Sequence, residues 1–204
     1  RAALGHAAGA SRGGRVTLTT YGILSDQEIA ALCEAEPAML SPFIARQEGK
    51  PSYGLGSFGY DLRLGRRILV PRGGVNVVLD PVQFPEGYFR ALDVGGTFEL
   101  PANSQVLAES VERFQMPDDV CAVCWGKSSY ARCGLLVNVT PIEPGWRGIL
   151  TIALVNVSPL PIRLHVGQGI AQIVFFRGAR PRRTYGEKEA GGGYQDQPGV
   201  TLPR

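Results

Sequence analysis

One stretch, residues 126–176, constrains the fold more than any other: GKSSYARCGLLVNVTPIEPGWRGILTIALVNVSPLPIRLHVGQGIAQIVFF. Three apolar runs within it, 135–139, 149–155 and 170–176, are rich in β-branched residues and separated by Pro and Gly. Runs of this length and make-up read as buried strands. Ahead of them stands Gly126-Lys127-Ser128-Ser129-Tyr130-Ala131-Arg132, which offers bare backbone, hydroxyls and fixed cations within the span of one phosphate chain. Such a turn suits an anion.

The remainder continues the same pattern. Residues 58–64 alternate, with Tyr60, Leu62 and Leu64 on one face and Asp61 and Arg63 on the other. The latter pair reads as a solvated face, with pairing across a subunit contact or orientation of a loop as its functional alternatives. Further short strands are expected at 68–70, 75–79, 97–100, 105–111 and 120–125, divided by loops that hold Pro71, Pro81, Pro85, Pro101 and Pro117. Many short strands at this spacing, without long helices, predict an antiparallel barrel or sandwich. Upstream, Ser25 and Glu28 have capping-box spacing and Leu24 and Ile29 staple spacing, so a helix should start at Ser25 and end before Pro37. A second short helical turn is expected over 41–46.

The 204 residues, 44% hydrophobic, suffice for one full core without staples. The net charge of +3 is mild, and much of the positive charge sits in the first fifteen residues and in 177–183, which argues against a nucleic-acid groove. No apolar run approaches the roughly 20 residues of a membrane span. Four cysteines, Cys33, Cys121, Cys124 and Cys133, make no disulfide framework, which suits a reducing, cytoplasmic setting. Cys121 and Cys124 have the spacing of a zinc pair, but residues three apart on a strand point to opposite faces. Residues 1–18 lack periodicity and read as an extension outside the fold and not as a secretory signal. The expected division is 1–18 extension, 19–178 β-barrel domain, and 179–204 a mobile arm hinged at Gly191-Gly192-Gly193.

Segments 126–144 (GKSSYARCGLLVNVTPIEP) and 169–176 (GIAQIVFF) resemble the dCTP deaminases, a branch of the trimeric dUTPase superfamily. The resemblance extends to Leu24-Ser25-Asp26, Ser52-Tyr53-Gly54, Gly59-Tyr60-Asp61-Leu62-Arg63 and the closing GGYQDQPGVTLP at 192–203. It implies a mainly β fold, a distorted antiparallel β-barrel or jelly-roll of the dUTPase type with short N-terminal helices, assembled as a homotrimer with sites where subunits meet. It further implies hydrolysis of dCTP to dUTP and ammonia, with Mg²⁺ carried on the triphosphate and no metal ligand from the protein. The zinc deaminase signature is absent from the sequence, in keeping with a zinc-independent site. By position, Lys127, Ser128, Ser129, Tyr130, Ala131 and Arg132 would line the triphosphate and base pocket. Ser128 would polarise the base or hold the attacking water, and Arg132 would fix the charge of the site. Thr151, Ile152 and Ala153 would meet the base edge. Gln172, Tyr185 and Gln197 would close over the phosphates and sugar.

The chain departs from that pattern at the residue that matters most. The deaminases carry a glutamate on the strand after G-W-x-G, and here Ala153 stands in its place. Metal-free deamination needs a carboxylate to move protons between water, base and ammonia, so activity is expected to be low or lost. Gly193 stands where the family has a lysine, leaving Lys188 or Arg183 to substitute as a phosphate contact. Two other readings stay open: a dUTPase-like pyrophosphatase in which Glu143 aligns water, or a non-catalytic protein that binds dCTP, dUTP or dTTP. Nucleic acid and membrane are not expected partners.

Overall fold

The computed structural model describes residues 21–49, 51–74, 76–188 and 193–203. The expected 1–18 extension and two of the three hinge glycines lie outside them. In chain order the elements are β1 (Gly22–Ile23), α1 (Asp26–Glu34), β2 (Leu40–Ser41), β3 (Gly54–Gly56), β4 (Gly59–Pro71), β5 (Phe89–Asp93), β6 (Thr97–Leu100), β7 (Ser104–Gln115), β8 (Val120–Gly126), α2 (Ser128–Ala131), β9 (Leu135–Asn138), β10 (Arg147–Asn156), β11 (Ile162–His165) and β12 (Gly169–Arg177).

Ten of these strands form one antiparallel sheet along the path β1-β12-β4-β7-β10-β9, with β2, β3, β5 and β8 joined at its sides, and β11 pairs with β6 alone. The long strand β4 changes neighbours along its length. Its first half pairs with β3 and β12, its second with β5 and β7, across an irregularity between Leu64 and Ile68. Irregularities of this kind bend a strand and raise its twist, and here the sheet curls into half of a barrel. The mainly β, curled antiparallel architecture is therefore what forms.

The alternation expected for strands decides what lies inside. Tyr60, Leu62, Leu64, Ile68, Ala108, Phe114, Ile152, Leu154, Ile173 and Phe175 are fully buried. Large aliphatic or aromatic side chains contribute roughly 1.5–3 kcal/mol each when taken fully from water. On β10 the alternate residues Thr151, Ala153 and Val155 are only half-buried and form the outer face. That face carries part of the candidate site.

Helix α1 begins where the capping box places it. The Ser25 backbone N–H and hydroxyl both donate to Glu28 Oε2 at 3.0 Å, and the staple residues Leu24 and Ile29 are buried. The second helical turn does not form: residues 42–46 are irregular after the short β2. Residues 76–80 are irregular too, with Val77, Val78 and Leu79 exposed, so β-branched composition alone does not make a strand there. The runs expected at 58–64 and 68–70 are one continuous strand, β4. The short β5 and β11 lay below the reach of pattern reading.

Asp61 and Arg63 correct the solvated-face reading. Asp61 is 4% exposed, and Arg63 donates from Nε to Glu112 Oε1 at 2.7 Å. Glu112 is fully buried and also accepts the Arg63 backbone N–H at 3.0 Å. β12, which hydrogen-bonds β4 at this end, and the opposing β7 shut these polar groups in.

Candidate functional site

The Lys127 turn forms as the chain leaves β8. The N–H groups of Tyr130 and Ala131 donate to the Lys127 carbonyl at 3.0 and 2.9 Å, which closes the single turn of α2. Tyr130 anchors it: the ring is buried, burial raises its phenol above the ordinary value, and its hydroxyl accepts the His165 N–H at 3.1 Å. Ser128 and Ser129 are left exposed. Together with Lys127, Tyr130 and Gln172 they line a cavity of about 1220 Å³ that also takes in Arg46, Asp61, Arg163 and His165.

Asp61 organises the charge of this cavity. Its Oδ2 accepts both Lys127 Nζ and Arg46 Nη1 at 2.6 Å, and Arg46 Nη2 reaches Ser52 Oγ at 2.8 Å. Arg46 Nε also reaches Glu48 Oε1 at 3.2 Å, and Asp26 and Glu48 share the lining with Asp61, so Lys127, Arg46 and Arg163 face the opening beside the exposed Ser128 and Ser129 hydroxyls and three carboxylates. Short charge-assisted bonds fix their positions before any ligand arrives. Gly169 forms the wall behind: a Cβ there would sit 2.0 Å from the Ser52 carbonyl oxygen. Ala131 and Arg132 are exposed and outside the lining, and Arg132 donates back to the Ser128 carbonyl at 3.2 Å.

The other expected site residues lie elsewhere. Glu143, Thr151, Ala153, Tyr185 and Gln197 line a second cavity of about 320 Å³, with Asn138, Trp146 and Thr201 beside them. The two cavities share no lining residue. Ile152 belongs to neither, because it is fully buried on the opposite face of β10.

The C-terminal arm builds much of the second cavity. Gln197 pairs in parallel with Gly148, its Nε2 donates to the Ile149 carbonyl at 2.6 Å, and Ile149 N–H donates to the Gln197 carbonyl at 3.0 Å. Thr151 Oγ1 accepts the Thr201 N–H at 3.0 Å. Trp146 Nε1 donates to the Tyr194 carbonyl at 2.9 Å, and the Tyr185 hydroxyl accepts the Tyr194 N–H at 3.2 Å. The Lys188 ammonium pairs with Glu143 and lies 5.0 Å from the Tyr185 ring centroid. Lys188 is therefore committed to Glu143 and does not reach the Lys127 turn.

Cys121 and Cys124 occupy opposite faces of β8. Cys124 is buried, and burial pushes its thiol up to about 12, while Cys121 is half-buried. Among the described residues no cluster of three His, Cys, Asp or Glu side chains has metal-binding geometry. No described helix is long and apolar enough to cross a membrane.

Sequence reasoning missed Arg46, Asn138 and Trp146 as lining residues and left Asp61 without partners. The alternation of β4 did put Asp61 off the core face, but its cations come from 15 and 66 residues away.

The curled β-sheet thus carries one large cavity rich in charged and hydroxyl groups and one smaller, more apolar cavity. The dCTP deaminase-like family model matches residues 23–178. The dCTP deaminase of Campylobacter lari is 47% identical over 173 residues, covering 83% of this chain and 91% of that protein. That of Campylobacter curvus is 44% identical over 187 residues, covering 90% and 98%, and that of Helicobacter pylori strain Shi470 is 44% identical over 174 residues, covering 83% and 91%. The 2'-deoxycytidine 5'-triphosphate deaminase structure from Agrobacterium tumefaciens superposes with a TM-score of 0.60 at 23% identity. That match covers 78% of this chain and 49% of that one, and it speaks to the fold. The chain belongs to the dCTP deaminase family.

Proposed function

We propose that the protein binds dCTP and hydrolyses its cytosine amino group slowly, giving dUTP and ammonia, in a site that two neighbouring copies of a homotrimer complete. The observation that carries the reading is the split of the site residues into two cavities of complementary chemistry. Cations and hydroxyls gather at Lys127, Arg46, Ser128 and Ser129, whereas Thr151, Ala153, Trp146 and Gln197 surround a smaller space. A triphosphate suits the first and a pyrimidine the second. One copy supplies the phosphate cavity and its neighbour the base cavity.

Magnesium enters this reading with the nucleotide. Lys127, Arg46 and the serine hydroxyls of the first cavity fit phosphate oxygens, and its buried carboxylate, Asp61, is already taken by two cations. Bound to the triphosphate, Mg²⁺ supplies charge neutralisation. The protein side chains do the rest: Lys127 and Arg46 hold phosphate oxygens, Ser128 orients the base or the attacking water, and Arg132 holds the turn through the Ser128 carbonyl. The four thiols are all free, which supports work in the reducing cytoplasm.

Ala153 favours slow turnover. A missing general acid and base typically forfeits roughly 10²- to 10⁴-fold in rate. The test is chromatographic analysis of dCTP and dUTP incubated separately with purified protein and Mg²⁺. Slow appearance of dUTP from dCTP is expected. Monophosphate and pyrophosphate would move the chemistry to Glu143, and tight binding of dCTP or dTTP without product would leave a non-catalytic binding protein.

A further inference from the structure

A metal-free deamination at the second cavity needs a carboxylate close to Ala153, and Glu143 is a poor provider because Lys188 holds it. The neighbouring strand offers another. Glu109 lies directly opposite Thr151 in the β7–β10 ladder, and Leu107 lies opposite Ala153. Side chains alternate along a strand, so Glu109 and Leu107 share the outer face with Thr151 and Ala153. Glu109 is thus the diagonal neighbour of Ala153, a separation that long side chains span.

The fold makes room for this side chain at both ends. Gly65 lies beneath it: a Cβ on Gly65 would stand 2.5 Å from Glu109 Cγ. Gly199 of the arm lies over its head, where a Cβ would stand 2.7 Å from Oε2. Between them Glu109 Oε2 accepts the Val200 N–H at 3.1 Å, while Thr151 Oγ1 accepts the next N–H, that of Thr201, at 3.0 Å. Consecutive arm amides therefore cap the carboxylate and the hydroxyl that flank Ala153. Glu109 stands outside the lining of the second cavity, under the 199–201 backbone, so its carboxylate reaches Ala153 only when that segment shifts.

Resting on the proposed deamination, we propose that Glu109 is the residue that carries protons in this protein, reaching across from β7 into the space the Ala153 methyl leaves. Water oxygen bonds to the ring carbon that bears the amino group. Glu109 takes one water proton and delivers it to the adjacent ring nitrogen, giving a tetrahedral carbon that carries both hydroxyl and amino groups. It then moves the hydroxyl proton to the amino nitrogen. The carbon–nitrogen bond breaks, ammonia leaves, and the carbonyl of uracil forms.

The test rests on Glu109→Gln, which keeps the size of the side chain and an oxygen to accept the Val200 N–H but cannot exchange protons. The measurements are single-turnover and steady-state conversion of dCTP, dCTP binding, and proteolysis of the arm. The expected result is a loss of kcat of about 10²-fold with KM, binding and arm protection unchanged, partial recovery in Glu109→Asp, and restored turnover in the double variant Glu109→Gln, Ala153→Glu. Retention of kcat in Glu109→Gln overturns the inference and leaves the deaminase reading standing. So does a change confined to KM and arm cleavage, which would make Glu109 a latch only. Absence of dUTP from the unaltered protein overturns both.

Discussion

Asp61 shows how one side chain sets the chemistry of a cavity. It binds two cations through a single buried oxygen, which raises Arg46 above its ordinary value. The Lys127 side chain is 12% exposed and that of Arg46 is 40%. Removing the carboxylate therefore harms the lysine most. Asp61→Ala should cost about 3 kcal/mol of stability, read from urea unfolding, because a sequestered ammonium loses its partner while the more exposed arginine turns to water. Lys127→Ala should leave the fold intact and weaken Mg²⁺–dCTP binding by roughly 10- to 100-fold in calorimetry, the worth of one charge-assisted contact. At Ala153, restoring glutamate should raise the rate of dUTP formation on the order of 10²-fold. An unchanged rate in Ala153→Glu would mean that the base does not sit against this part of β10.

Among the elements, β4 and β7 carry the most consequence, since they hold both the buried ion pair and the Glu109 cradle. Glu112 has its carboxyl raised above the usual value of 4.5, chiefly by desolvation and against the opposing pull of Arg63. Between the unfolded value and this raised folded one, the native state holds more protons than the unfolded chain. Stability therefore falls as pH rises through that window and is recovered as pH is lowered into it, so far as this group is concerned. Glu112→Gln should remove that component from the pH dependence of urea unfolding while lowering stability overall, because Arg63 is left without its charge partner. The sequence made much of this frame legible. Period-two alternation over 58–64 and the apolar runs of β9, β10 and β12 announce their strands, and Ser25 with Glu28 announces the helix. The ion pairs were not legible, because a solvated Asp61–Arg63 face and a buried one have the same local pattern. What buries it is a set of partners far away in the chain. Residues 76–80 mislead for the opposite reason, having strand composition without a neighbouring strand to receive it.

At the scale of the whole molecule, the motif and the resemblance named residues that the fold distributes mostly between two cavities. That separation was invisible in the sequence, where the resemblance assigns Lys127 and Thr151 to one site. The proposed chemistry requires a second copy to bring Lys127 of one cavity to Ala153 of the other, and it depends on that claim. Its most direct test mixes two variants, each folded and assembled alone: Lys127→Ala, which disables the phosphate cavity, and Ala153→Phe, which fills the base cavity. Each by itself should form dUTP from subsaturating dCTP far more slowly than the unaltered protein. Mixed oligomers should regain a measurable part of the original rate, since some interfaces then pair an intact phosphate cavity with an intact base cavity. Activity of the mixture no greater than the sum of the two variants alone, with exchange of subunits verified, would contradict a site shared between copies.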